Sequence, residues 1–301
     1  MRRAFVQTLC EMAAADKRIV LLTGDLGYMA LEPFRARFPE RFFNAGVAEQ
    51  NMVGVATGLA EAGYRPYVYS IAPFASLRPF EFIRNGPVLH RLPVRIVGMG
   101  MGFDYGHAGS THYALEDVVA LRALPGLSIV VPADSRHAAA LLLATAGEPG
   151  PVYYSLSKND SLHVEGLDVA IGPGRLQTIR PGCDVVILTM GSMVTEVLAA
   201  AKALEAEEIS AAVAVVSGFN PDPWEDTARL LAGFRRAITV EAQAVSGGLG
   251  AFVAAVIAGE GIACRLRSLG LRVPPGGSSG SERDRWQYYG LDISSIAEAA
   301  R

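Results

Sequence analysis

Cysteine is scarce in this sequence, and its spacing carries no pattern. Cys10, Cys183 and Cys264 are odd in number and far apart. They match neither a zinc-ligand spacing nor a disulfide framework, which argues against a stapled secreted module and for a reducing, cytoplasmic setting. Basic runs are also lacking. Nothing exceeds Arg2-Arg3 or Arg235-Arg236, and 27 basic against 30 acidic side chains leave a net charge of −3. Nucleic acid is therefore not an expected partner. No apolar stretch reaches membrane-spanning length without a charge, a proline or a turn signal, so no membrane association is expected. The N-terminus does not read as a signal peptide, because Arg2 and Arg3 lead into residues carrying Gln7, Glu11 and Asp16. No short-period repeat is visible.

What is present is apolar and rich in glycine. Half of the 301 residues are hydrophobic, enough for two buried cores, and 32 glycines suit tight strand-to-helix turns. Short apolar runs at 19–23, 67–71, 94–98, 128–132 and 152–156 read as buried strands. Helical spacing fills 49–62 and 135–146, the latter with Ser135 as its N-cap. The alternation predicts a mostly parallel sheet with helices on both faces. Gly166, Gly172, Pro173, Gly174, Pro181 and Gly182 then break the rhythm. Strands are predicted again at 184–189, 211–216 and 237–240, with a helix at 194–204. The predicted fold is α/β, with two three-layer αβα domains at 1–160 and 183–301 joined by a linker at 161–182. The stretch 274–280, rich in Pro, Gly and Ser, is predicted to be a loop.

Three segments carry candidate chemistry. Phe43-Asn-Ala-Gly-Val-Ala-Glu-Gln-Asn-Met52 leads into the 49–62 helix, whose apolar positions include Met52, Val53, Val55, Ala56, Leu59 and Ala60. Gly54 and Gly58, four apart, leave one face small enough for another helix to approach closely. Glu49 falls near the helix N-terminus; taken alone, it is explained by the helix dipole. Phe74, Leu77 and Phe80 recur at intervals of three after the 67–71 strand and, taken alone, are core residues. Phe103-Asp-Tyr-Gly-His-Ala-Gly-Ser-Thr-His112 is a Gly-rich loop with two histidines after a strand, where open sheets place their sites. His90 and His137 read as structural or exposed, and His163 stands next to the linker.

Five segments, in order, resemble the transketolase superfamily over nearly the whole chain. Gly46-Val-Ala-Glu-Gln50 matches the family's catalytic-glutamate motif, Gly-Ile/Val-x-Glu-His/Gln, position by position. Thr23-Gly-Asp-Leu26 resembles the first strand end of the pyrimidine-binding domain, and Gly109-Ser-Thr-His112 its Gly-Pro-Thr-His motif. Val130-Val-Pro-Ala-Asp134 resembles the strand leading into that domain's last helix. Val240-Glu-Ala-Gln-Ala-Val-Ser-Gly-Gly-Leu-Gly250 resembles the Glu-Glu-His…Gly-Gly-Leu-Gly stretch of the C-terminal domain. The resemblance implies a thiamine-diphosphate pyrimidine-binding domain at 1–160 and a transketolase C-terminal domain at 183–301.

The resemblance also implies roles. Glu49 is expected to activate the cofactor through N1′ of its aminopyrimidine. Such a carboxyl calls for a dry pocket and a raised pKa, which apolar Val47, Ala48 and Met52 would suit. Phe74, Leu77 and Phe80 correspond to the aromatic wall of the cofactor ring, with leucine at the middle position. Stacking of this kind adds about 0.5–1.5 kcal/mol beyond area burial. His112 matches a histidine that lines the substrate channel and is expected to be catalytic and substrate-binding. His107, which matches no family role, is a further substrate-binding candidate. Lys158 stands where an arginine contacts substrate phosphate; it keeps the charge but loses the bidentate fork.

The family's Gly-Asp-Gly…Asn motif, which grips Mg²⁺ and diphosphate, is missing. The nearest approach, Gly24-Asp25-Leu26, belongs to another motif. The resemblance therefore implies a split gene: an N-terminal transketolase subunit carrying that motif is the expected partner, in an α₂β₂ heterotetramer. Thiamine diphosphate and Mg²⁺ are the expected cofactors, held mainly by the partner. The expected activity is transfer of a two-carbon ketol unit from a ketose or ketose-phosphate donor to an aldehyde or other acceptor. Ala108, where standard transketolases carry an acidic residue, departs from the usual pentose-phosphate pattern. A β subunit of a 2-oxoacid dehydrogenase, or a deoxyxylulose-phosphate-synthase-like enzyme, shares the Glu49 chemistry but decarboxylates; Gly109-Ser-Thr-His112 favours ketol transfer. A non-catalytic partner subunit is opposed by the presence of Glu49, Phe74, Phe80 and His112.

Overall fold

The computed structural model describes residues 1–277 and 279–301. Its strands form where β-branched, aromatic and aliphatic residues run together. In chain order they are β1 (Ile19–Thr23), β2 (Phe42–Asn44), β3 (Arg65–Ile71), β4 (Arg95–Met99), β5 (Ser128–Val130) and β6 (Val152–Leu156). There follow β7 (Leu176–Arg180), β8 (Val185–Thr189), β9 (Ala211–Val216), β10 (Gly218–Phe219), β11 (Arg236–Ala244) and β12 (Arg265–Leu271). The first sheet has the order β10-β5-β6-β4-β3-β1-β2 and the second β12-β11-β8-β9-β7. Among the described residues, β10 with β5 and β7 with β9 are the antiparallel pairs, and every other pairing is parallel. Every residue of β1, β4, β6, β8 and β9 is buried, as expected of parallel strands covered by helices on both faces. The predicted α/β fold with two mostly parallel sheets is the fold observed.

Several local expectations are corrected. The segment 161–182 is not free of regular structure, because its last third forms β7. Leu176 and Thr178 pair with Val216 and Ala214 at the edge of the second sheet, and a one-sided edge strand does not read as a continuous apolar run. The same reason hid β12, where Arg265 and Arg267 alternate with Leu266 and Ser268. The helix Ser135–Ala144 is capped by Asp134 rather than Ser135. Its carboxylate accepts from His137 N at 2.8 Å and from Val164 N at 3.1 Å, holding two chain segments at once. In the predicted loop at 274–280, Ser278 lies outside the described residues, and the described remainder forms neither helix nor strand. No helix among the described residues is long and apolar enough to cross a membrane.

Two features of this topology govern where a site can form. The chain runs from β1 outward to β2 and returns to β3 on the other side of β1, so the strand order reverses there. In open parallel sheets the crevice beyond the carboxyl ends of the strands at such a reversal receives ligands. The second half of the chain also reaches back. Strand β10 adds an antiparallel edge to the first sheet beside β5, and the apolar interior continues through Phe219, Leu249 and Phe252. Arg122 lies over the Phe219 ring at 4.6 Å and pairs with Asp222 at 2.7 Å, tying the helix Asp117–Arg122 to that junction.

Glu241, in the β11 stretch singled out from the sequence, is a structural cap. Its two carboxylate oxygens each accept at 2.8 Å from Leu249 N and Gly250 N, at the start of the helix Leu249–Glu260. Two otherwise orphaned donors are satisfied, and burial pushes the Glu241 carboxyl up to about 8. Glu241→Ala should lower the stability of the chain by about 2 kcal/mol, the usual scale for a lost cap with buried donors left unpaired. Urea denaturation followed by tryptophan fluorescence measures this; an unchanged midpoint would rule out the cap.

Candidate functional site

Glu49 opens the helix Glu49–Glu61, and its side chain is turned inward to 1 % exposure. The turn that aims it is shaped by Asn44 at the end of β2. Asn44 Oδ1 accepts from Asp25 N at 3.0 Å and Gly46 N at 2.9 Å, and its amide donates to Asp25 at 2.8 Å. The Glu49 carboxylate arrives between the ends of β1 and β3. Ser70 Oγ donates to Oε1 at 3.1 Å, and a Cβ at Gly24 would stand 3.2 Å from the same oxygen. A Cβ there would crowd that oxygen, so glycine at this position gives the carboxyl room close to β1. Glu49 thus occupies the crevice at the reversal of strand order.

The surroundings differ from the expected apolar pocket. Met52 is buried, but Val47 is 76 % exposed. The neighbour that decides the electrostatics is Arg78, whose Nη1 donates to Glu49 Oε2 at 2.6 Å. A lone buried carboxylate costs several kcal/mol, and the guanidinium offsets that cost. The Arg78 guanidinium also lies 4.1 Å from the centre of the Phe74 ring. The far side of the cluster is built from the loop after β4. His112 meets Phe74 edge-on at 5.1 Å, Tyr105 lies 6.3 Å from His112, and Lys158 Nζ lies 4.8 Å over the Tyr105 ring.

Glu49, Phe74, His112 and Lys158 are therefore brought together along one crevice at the carboxyl ends of β1, β3, β4 and β6. The other candidates stand differently. His107 is exposed, and its charge acts on Asp284 at the start of the helix Glu282–Tyr288. Leu77 is exposed, while Phe80 packs against the core of the first sheet. Asn44, Ser70, Arg78 and Tyr105 were missed by sequence reasoning. Arg78 had a visible signal, a cation four residues after Phe74. Ser70 had none, since a serine inside a buried strand declares its partner only once the fold is known.

A buried acidic pair supports the loop that carries His107 and His112 from below. Asp104 accepts from Ser157 Oγ at 3.1 Å and from Lys158 N at 2.8 Å, and its carboxyl is hydrogen-bonded to that of Glu282. Two touching carboxyls share a proton. Burial, and then the neighbouring Asp104, push Glu282 up to about 8; burial raises Asp104 as well. Lys158 and Glu196 are the other charges acting on Glu282. The packing here is tight: a Cβ at Gly106 would fall 2.4 Å from Gly280 O, and Gly280 N donates to Gly106 O at 3.1 Å.

The donor set at Glu49 fits a planar nitrogen heterocycle. A buried carboxyl can exchange a proton with a ring nitrogen, and the Phe74 face can stack on the ring. Among the described residues no group of three or more His, Cys, Asp and Glu side chains is placed to hold a metal ion.

Comparison with known proteins gives a consistent set of likenesses over nearly the whole chain. The family model for the transketolase pyrimidine binding domain matches residues 1–161, and that for the transketolase C-terminal domain matches 174–296. The chain is 36 % identical over 303 residues to a protein from Methanocaldococcus jannaschii named as a transketolase C-terminal section, covering 99 % of this chain and 94 % of the relative. It is 32 % identical to one of the subunits of the apulose-4-phosphate transketolase of Phocaeicola vulgatus, covering 99 % and 96 %. A 1-deoxy-D-xylulose-5-phosphate synthase of Syntrophotalea carbinolica is 33 % identical over 99 % of this chain, which spans 47 % of that longer protein. Among solved structures, one described as a split gene transketolase, inactive beta4 tetramer, superposes with a TM-score of 0.89 at 34 % identity, covering 99 % of this chain and 96 % of the other.

The acidic pair makes a pH prediction. Glu282 is protonated in the folded chain well above its ordinary value of 4.5, so the folded state binds the proton more tightly than the unfolded one. The stabilisation from this group is complete below that ordinary value and is lost as pH rises through about 8. The thermal midpoint should fall as pH is raised from about 5 to about 9, and Glu282→Gln should flatten that fall. A pH series of melting curves on both proteins checks it; identical slopes would mean that the pair does not share a proton.

Proposed function

The chain belongs to the transketolase family, and from that premise we propose that it is the pyrimidine-binding subunit of a split, thiamine-diphosphate-dependent transketolase that moves a two-carbon ketol unit. The single observation that carries this reading is Glu49, buried at the strand-order reversal with the Phe74 ring and His112 beside it. When bound, thiamine diphosphate supplies the electron sink for breaking and making the carbon–carbon bond. Glu49 holds the proton-sharing position at N1′ of the aminopyrimidine, and Phe74 provides the stacking face. His112, half-buried at the mouth, moves protons on substrate hydroxyls. Lys158, exposed over Tyr105, holds an anionic end of donor or acceptor.

The diphosphate and Mg²⁺ are assigned to a partner subunit in an α₂β₂ assembly. Three observations support this assignment. The Gly-Asp-Gly…Asn motif is missing from the sequence. The helix Glu49–Glu61 keeps Gly54, Val55 and Gly58 exposed on its open face, with nothing within 4 Å of a Cβ at Gly58, which leaves room for a helix from another subunit. The related split-gene tetramer built from β chains is described as inactive. The three cysteines are free, in keeping with a cytoplasmic setting.

Two experiments on the reconstituted pair of subunits test the reading. Glu49→Gln keeps the volume of the side chain and loses the shareable proton, so ketol transfer should be nearly abolished with assembly intact by native mass spectrometry. Wild-type turnover would sink the assignment. Release of CO₂ from a 2-oxoacid in place of ketol transfer from a ketose would instead favour the deoxyxylulose-phosphate-synthase-like alternative. For substrate contacts, Lys158→Ala should raise KM for phosphorylated sugars with little change in kcat, whereas His112→Ala should lower kcat by about 10²–10⁴-fold. Matched phosphorylated and unphosphorylated donors separate the two. Equal losses on both sets for Lys158→Ala would make that residue structural.

A further inference from the structure

The Arg78 guanidinium makes both contacts that the pocket has to offer a cofactor ring. It is flat, it lies 4.1 Å over Phe74, and it donates to Glu49 Oε2 at 2.6 Å. An aminopyrimidine engaging the same pocket is also flat, also stacks on the aromatic face, and also places an N–H against the carboxyl. The two cannot share Oε2 and the Phe74 face at the same time.

We propose that Arg78 is a built-in occupant of the ring pocket, holding the place of the aminopyrimidine in the free chain and turning outward when the ring binds. The inference rests on the reading of Glu49 as the aminopyrimidine-binding carboxyl. The side chain has a way out: Arg78 is 36 % exposed, whereas Glu49 is 1 % exposed and stays behind. It stands just after the short helix Ala72–Ser76 and just before Pro79, beside exposed Leu77, so its turning outward disturbs no helix. Its occupancy serves the fold, because the buried Glu49 carboxylate then has a counter-charge while no ring is bound. That service has a consequence for affinity. A ring that binds only the vacated pocket has its apparent affinity reduced by the fraction of time the pocket is open.

The test uses the full chain and the free fragment 4-amino-2,5-dimethylpyrimidine, titrated by ligand-observed NMR. Arg78→Ala should bind the fragment more tightly than wild type, by about tenfold if the wild-type pocket stands open about a tenth of the time. Arg78→Lys, which keeps the charge and loses the planar fork, should fall between them. Millimolar guanidinium ion should cancel the gain in Arg78→Ala and raise the lowered melting temperature of that variant. Equal or weaker fragment binding by Arg78→Ala and Arg78→Lys, or no competition from guanidinium, would overturn the proposal. Glu49→Gln separates its failure from failure of the underlying reading. If no variant shows binding that depends on Glu49, the carboxyl is not the ring-binding group and both fall. If wild-type binding depends on Glu49 while the Arg78 variants bind no tighter, only the placeholder is wrong.

Discussion

One carboxylate must be taken out of water at the reversal of strand order, and much of the first sheet is arranged around that constraint. A buried charge is tolerated only with partners. Those partners come from separate elements: the Ser70 hydroxyl from β3, the Arg78 guanidinium after the helix Ala72–Ser76, and room made by Gly24 at the end of β1. Asn44, on β2, bends the chain so that Glu49 enters the crevice at all. No local sequence preference holds the site together. The parallel sheet does, by bringing four carboxyl-terminal strand ends to one place.

The two halves of the chain meet at this place from different directions. The loop bearing His107 and His112 grows from the first sheet but rests on the helix Glu282–Tyr288 of the second half, through the paired Asp104 and Glu282 carboxyls and the close backbone contact of Gly106 with Gly280. Lys158 is positioned by the same Asp104, through its backbone N–H. The second half therefore sets the footing of the loop that carries His112, and of Lys158.

Much of this was legible in the sequence, and what was not has physical reasons. Buried central strands such as β1, β6 and β9 announce themselves as continuous apolar runs. Edge strands do not, because only one face is covered; β7 was hidden in a supposed linker and β12 behind its arginines. Glu49, Phe74, His112 and Lys158 could be named from the sequence because each stands in a segment that resembles a transketolase motif; taken alone, Glu49 and Phe74 read as a helix-terminal charge and a core ring. Ser70, Asn44 and Tyr105 could not, because their partners are distant in sequence and only the topology brings them near. The reading of Glu49 as a carboxyl in an apolar niche failed for a related reason. Arg78 lies 29 residues further along, and its approach depends on how β3 and the following turn pack.

The short strand β10 bears on how such a chain can be inherited. It belongs to the second half by position yet completes the edge of the first sheet, covering the hydrogen-bonding side of Ile129 and Val130 on β5. An uncovered apolar edge of this kind recruits other strands and aggregates. Gene fission or domain shuffling between the two halves would expose it, so the halves are expected to travel together through recombination.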